Sequence, residues 1–202
     1  MRIGPGSHKM TLLKQVFLIS SLQLALTALS TLQAQDQPPQ KVNQDALVLQ
    51  DFKSRIAEYL KLRKKLEAKM HKLKPTEASA KIAEHEHELA RKIRSARRRA
   101  RQGDVFTAGI AAEFRRLIGI TMQGSEATRI RQSLKNAEPV HLRLRVNDEY
   151  PANIPLQSTP PSLLENLPQL PPELDYRVVD HDLLLRDVGA NIIVDFIPGA
   201  IA

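Results

Sequence analysis

The chain has 202 residues, no Cys, no Trp, 4% aromatic residues and a formal net charge of +8. Without a thiol, disulfides, thiolate metal sites, Cys nucleophiles and a lipid-modified N-terminal Cys are all excluded. So few aromatics leave Leu, Ile, Val and Ala to build the core, which suits packed helices better than a large β-sandwich, and the length allows one domain or one plus a small appendage.

The N-terminus reads as an export signal. Arg2, Lys9 and Lys14 stand with no acid among them, an apolar run covers residues 16–29, and small or polar residues fill 30–35. A basic start, an apolar centre and a small residue at the cut are the order of a secretory signal, with Ala34 the last residue removed and Met10 an alternative start. An uncleaved membrane anchor is the other reading. Against it, the run is short of about 20 apolar residues and is diluted by Ser20, Ser21, Gln23 and Thr27. Residues 1–34 are therefore read as the signal and 35–44 as a polar, flexible leader, which places the protein in the periplasm or outside the cell.

Residues 45–136 form the expected helical region. Phe52, Tyr59, Leu66 and Leu73 recur every seven residues and are joined by Ile56, Leu62 and Met70. That is an apolar stripe on a helix capped by Asn43 or Asp45 and running to about Lys72. Lys74-Pro75-Thr76 breaks it, since proline disfavours helix in the residue before it. Thr76 then caps a second helix from about Glu77 to Arg101, striped by Ile82, Leu89, Ile93, Ala96 and Ala100. Asp104 is the expected cap of a third helix carrying Phe106, Ile110, Phe114, Leu117 and Ile118, and Ser125 that of a fourth carrying Ala127, Ile130 and Leu134.

Residues 137–202 form the expected proline-rich connector and small β region. Residues 140–146 alternate strictly between apolar and polar and read as a half-buried strand. Seven prolines follow between Pro151 and Pro172, with room for one helical turn at 162–167. Three short strands at 176–179, 183–186 and 191–197 make a meander, stable if one apolar face packs on helices. Residues 191–198 (NIIVDFIP) are apolar on both faces apart from Asp195, which argues for a central, covered strand with Asp195 paired to Arg177 or Arg186. The fold class is thus α+β, mainly α: a signal, a long basic helical hairpin, two shorter helices and a small antiparallel meander. The pattern LPQLPPELDYR…LLLRD…NIIVDFIP over roughly the last fifty residues resembles the C-terminus of uncharacterised secreted bacterial proteins, a resemblance that brings no activity with it.

Charge is unevenly spread. Residues 41–102 hold 18 Lys and Arg against 8 Asp and Glu, while 147–202 hold 2 against 9. The acidic tail is therefore a natural dock for the basic helices, within one molecule or between copies, unless the two faces are separately solvated. Arg91, Arg94, Arg97, Arg98 and Arg101 are the sharpest candidate site, because guanidinium groups bind phosphates and carboxylates bidentately. The bland alternative is a solvated face partly paired with Glu84, Glu86 and Glu88. In an exported protein the ligand would be an acidic envelope polymer, lipid headgroups or an acidic protein surface. Nucleic acid fits only if the N-terminal segment is not an export signal, and no aromatic interleaves the cluster to stack bases.

His85 and His87 are two apart, so on a helix they point about 200° away from each other and cannot share an ion. Glu84 and Glu88 share a side but are too few to hold a metal without help such as His71 reaching across the hairpin. Asp180 and Asp182 suit a hairpin turn. No Gly-rich phosphate loop, Gly-x-Ser-x-Gly or His-Glu-x-x-His occurs. The expectation is a non-enzymatic binding or scaffold module with no cofactor, and a homodimer if the helical stripes are completed by a second copy. The rival of another class is an enzyme using Asp195 or Asp187.

Overall fold

The computed structural model describes residues 43–71, 78–136, 143–150 and 159–201. The expected signal, most of the leader, the break at Lys74-Pro75-Thr76, the first residues of the strand expected at 140–146, and Pro151 and Pro155 of the connector lie outside the described residues. What is described is α+β and mainly helical: helices α1 (Gln44–Glu67), α2 (Ser79–Ala96), α3 (Ala108–Thr121), α4 (Ala127–Asn136) and the single turn α5 (Pro161–Leu164), then strands β1 (Leu174–Val179), β2 (Asp182–Asp187) and β3 (Ile192–Ile197). Among the described residues no helix is long and apolar enough to cross a membrane.

Asn43 opens α1, its side chain accepting from Asp45 N–H at 3.1 Å, and Asp45 complements the positive helix end. Phe52, Ile56 and Tyr59, spaced four and three apart, are buried. The helix stops at Glu67, short of the expected Lys72, because Lys69 and Met70 N–H groups bond three residues back, to Leu66 and Glu67. That tightening turns Met70 onto the core.

α2 also ends early, at Ala96 rather than Arg101, closed by a tightened local turn together with a long-range contact. In a continuing helix Arg101 N–H would bond Arg97 C=O. Instead Arg97 C=O accepts from Ala100 N–H at 2.8 Å, only three residues on, and from Asn147 Nδ2 at 2.9 Å, while Arg101 N–H donates to Asp104 Oδ2 at 2.9 Å. Asp104 therefore closes the turn after α2, and α3 is capped by Thr107, whose hydroxyl faces Ile110 N–H at 3.5 Å. Ile130 N–H bonds Glu126 C=O, so α4 is entered through Glu126 and not Ser125.

The core centres on three phenylalanines. Phe114 meets Phe52 edge-on at 4.9 Å and Phe106 at 5.2 Å, with Phe52 and Phe106 stacked at 5.7 Å, and Tyr176 of β1 closes the group at 6.0 Å from Phe114. Half of the eight aromatic residues of this aromatic-poor chain are thus spent where α1, α3 and the sheet meet.

The sheet is an antiparallel meander in the order β1-β2-β3, so β2 is central and β3 is not, contrary to the reading of 191–197 as the central strand. β3 is nonetheless covered. Residues 143–146 form no strand; the chain instead borders β3 a few residues later, where Asn147 N–H donates to Ile193 C=O at 2.8 Å and Ile193 N–H to Asp148 C=O at 2.9 Å. Asn147 takes a left-handed φ of 71°, which Asn tolerates better than most residues. One sheet face joins the main core through Leu183, Leu185, Ile192 and Val194. The other carries a smaller cluster of Tyr150, Val179, Leu184 and Ile193.

The pairing of β2 with β3 slips between Leu185 and Arg186, opposite Asp195 and Ile193, so β3 has one extra residue, a bulge. Ile193 and Phe196, three apart, then share one face, while Val194 and Ile197 share the other.

Within α3, buried Glu113 takes both fork nitrogens of Arg116, at 2.7 and 2.6 Å, and Arg116 reaches Asp45 of α1 at 3.3 Å. The hydrogen bond to Arg116, outweighing burial, holds the Glu113 carboxyl below its ordinary range. A depressed carboxylate contributes stability above its unfolded pKa and loses it as pH falls through the folded value. Between about pH 5 and pH 3 the parent should therefore lose more stability than Glu113→Gln, measured by denaturant midpoints across that window. Parallel curves would remove Glu113 as an acid-sensitive element.

Candidate anion-binding surface

Of the five arginines singled out from the sequence, the structure brings two inward. Arg97, at the end of α2, lies over the Tyr59 ring at 5.1 Å and donates to Asn147 Oδ1 at 3.1 Å and Val194 C=O at 3.0 Å. The bulge is what makes that carbonyl available: past it, Val194 and Phe196 turn their C=O groups to the outer edge of β3, where Gln102 Nε2 meets Phe196 C=O at 3.3 Å. Burial lowers the pKa of Arg97, partly countered by Tyr59 and by the Asp195, Asp104 and Asp187 carboxylates; an arginine remains charged regardless. Arg94 donates to Asn147 C=O at 2.9 Å and to Glu149 at 3.4 Å.

Arg91, Arg98 and Arg101 stay exposed, as does neighbouring Arg99, and no guanidinium of these four has an acceptor among the described residues. They flank the point where α2 stops. Because the helix ends at Ala96, Arg98, Arg99 and Arg101 project from a turn and not from one helical side. The pairing expected with Glu84, Glu86 and Glu88 is limited: Glu88 holds Lys92 at 3.3 Å, and His87 faces Glu149 at 3.5 Å.

Beneath this surface lie two fully buried carboxylates. Asp187 Oδ2 accepts from Tyr59 Oη at 2.8 Å and from Arg63 Nε at 2.9 Å, and its Oδ1 accepts from Ala190 N–H at 2.9 Å. Burial first, and then the Asp187 charge, push the Tyr59 phenol well above its ordinary pKa, so it stays a donor. Asp195 has a different environment from the one expected. Its partners are backbone: Gly103 and Phe196 N–H groups on Oδ1 at 3.0 and 2.9 Å, Val105 and Phe106 N–H groups on Oδ2 at 2.7 and 2.8 Å. Arg177 and Arg186 bind Asp175 instead. The bulge re-aims Asp195 toward the 103–106 loop, whose amides converge because Gly103 adopts a φ of 94°.

The acidic tail does dock on the basic helices within one chain, through Asp187 on Arg63 and Glu149 on Arg94. Sequence reasoning reads Asn147 only as part of a turn, which it is, and misses that it joins α2, the tail and β3. Among the described residues no group of three or more His, Asp or Glu side chains gathers to hold a metal ion. Comparison of the chain with protein-family models, with curated proteins and with solved structures finds no match in any of the three.

Proposed function

We propose that the protein is a non-enzymatic, exported component of the bacterial envelope that contacts an acidic partner through the exposed turn at the end of α2. The observation carrying this reading is the division of the arginines. Arg94 and Arg97 are committed to internal acceptors, whereas Arg91, Arg98, Arg99 and Arg101 are exposed and without acceptors among the described residues. Four free guanidiniums, one on the last turns of α2 and three on the turn after it, favour a polyanion, an envelope polymer, a headgroup surface or an acidic protein face. The buried carboxylates support the non-enzymatic reading, since all their oxygens already accept from donors of the fold itself. Self-association remains part of the proposal: Ile82, 41% exposed, leaves one residue of the α2 stripe uncovered where a second copy would fit.

The test combines place and binding. The intact mass of the protein from fractionated cells is expected to correspond to a soluble extracytoplasmic product starting near Gln35. Replacing Arg98, Arg99 and Arg101 together by Gln is expected to leave the melting temperature unchanged. It should also abolish co-sedimentation with phosphatidylglycerol vesicles and retention on polyphosphate, which in the parent fall steeply with salt. A full-length product in the cytosol, retained on DNA and released by salt with the same arginine dependence, would overturn this reading for a nucleic-acid binder.

A further inference from the structure

A second feature lies away from the arginine turn, at the outer edge of β1. There the 159–170 segment stands off the strand and leaves a cleft of about 530 Å³, within the size range of small-molecule sites. Leu164, Leu167, Leu170 and Leu174 give it an apolar wall, and Thr159, Gln169, Asp175 and Arg177 line it as polar groups.

The strand edge contributes a donor. Val188 N–H bonds Glu173 C=O at 2.9 Å, which sets the alternation of the β1–β2 ladder: Asp175 and Arg177 face β2, while Leu174, Tyr176 and Val178 turn their N–H and C=O groups outward. Leu174 N–H is taken by Pro171 C=O at 3.0 Å, and Tyr176 C=O meets Thr159 Oγ1 at 3.5 Å. Tyr176 N–H, on the cleft, has no acceptor among the described residues.

The charge there is unbalanced. Arg186 grips both oxygens of Asp175, at 3.1 and 2.8 Å, while Arg177 shares Oδ2 through Nε and Nη2 at 2.9 and 2.6 Å. Two guanidiniums on one carboxylate leave one positive charge, and Nη1 of Arg177 has no acceptor among the described residues. Arg186 is 8% exposed and stacked over Tyr150, so the surplus is presented through Arg177, whose side chain is 21% exposed.

We propose that this cleft binds a medium-chain fatty acid. Its alkyl chain lies against Leu164, Leu167 and Leu170, and its carboxylate is held by Arg177 Nη1 and Tyr176 N–H. A monoanion matches the single surplus charge, whereas a phosphate dianion would leave one negative charge beside Asp175. A peptide strand added to β1 is disfavoured because Thr159 already stands against the Tyr176 carbonyl, in the path such a strand would follow. The site is independent of the arginine surface.

The experiment is calorimetric titration of the full chain with decanoate, decanol and decyl phosphate, each below its micelle concentration. Decanoate is expected to saturate one site and to bind at least tenfold more tightly than decanol or decyl phosphate. Arg177→Gln should erase that preference, and Leu170→Trp, which fills the cleft but keeps the cation, should abolish binding of decanoate. Melting curves establish that each variant is folded, and the two variants fail for different reasons if the site is wrong. No saturable decanoate binding by the parent, equal binding of decanol, tighter binding of decyl phosphate, or decanoate binding unchanged in folded Leu170→Trp would each overturn the proposal.

Discussion

Asp195→Ala is expected to cost about 3–5 kcal/mol, because it strips the acceptor from four backbone N–H groups, three of them donated by a distant loop. For a chain of this size that corresponds to a fall of roughly 10 °C or more in melting temperature. Asp195→Asn should be nearly as damaging: it keeps one acceptor but turns an NH2 donor against amides that are themselves donors. The measurement is chemical denaturation of parent and both variants under identical conditions. A loss below about 1 kcal/mol would mean that water or a rearranged loop satisfies those amides, and the carboxylate would then be free for another task.

Arg97→Ala should follow closely, at about 2–4 kcal/mol, since it removes a half-buried cation from Tyr59, from Asn147 and from the edge carbonyl of Val194. Arg97→Lys should recover little, because an ammonium cannot span Asn147 and Val194 as the guanidinium fork does. Arg98→Ala, one residue along and exposed, should leave stability within about 0.5 kcal/mol. The pair separates fold from binding. If Arg97→Ala kept the parental melting temperature and lost only anion binding, Arg97 would belong to the outer surface after all.

The parts of this fold legible in the sequence are those set by local periodicity. The stripe of Phe52, Ile56 and Tyr59 and the third helix with Ile110, Phe114 and Ile118 are written in spacings of three and four, and the three meander strands in short apolar runs between turn residues. What was not legible depends on residues far apart in the chain. The end of α2 was obscured because Asp104, which closes its last turn, reads as the cap of the next helix, and its other closing group, Asn147, lies fifty positions away. Asp195 could not be assigned to amides rather than arginines without knowing of the bulge, since one extra residue changes which face every later side chain takes.

The same distance limits the candidate site. Periodicity placed Arg94, Arg97, Arg98 and Arg101 on one helical side, which holds only while the helix continues. In the structure Arg94 and Arg97 are drawn onto internal acceptors, and Arg98 and Arg101 are carried out on the turn where the helix stops. Composition could count the cations; it could not divide them between fold and solvent.

The bonds that close the fold also order its assembly in time. Tyr59 waits for Asp187 across 128 residues, and Val105 for Asp195 across 90. A chain emerging from its N-terminus can form α1, α2 and α3 as local, fluctuating helices, but they have no sheet to cover Phe52 and Phe114 until the last strand is made. Such a chain stays open until β3 has been made. Removing β3 should therefore not trim the molecule but prevent it from forming.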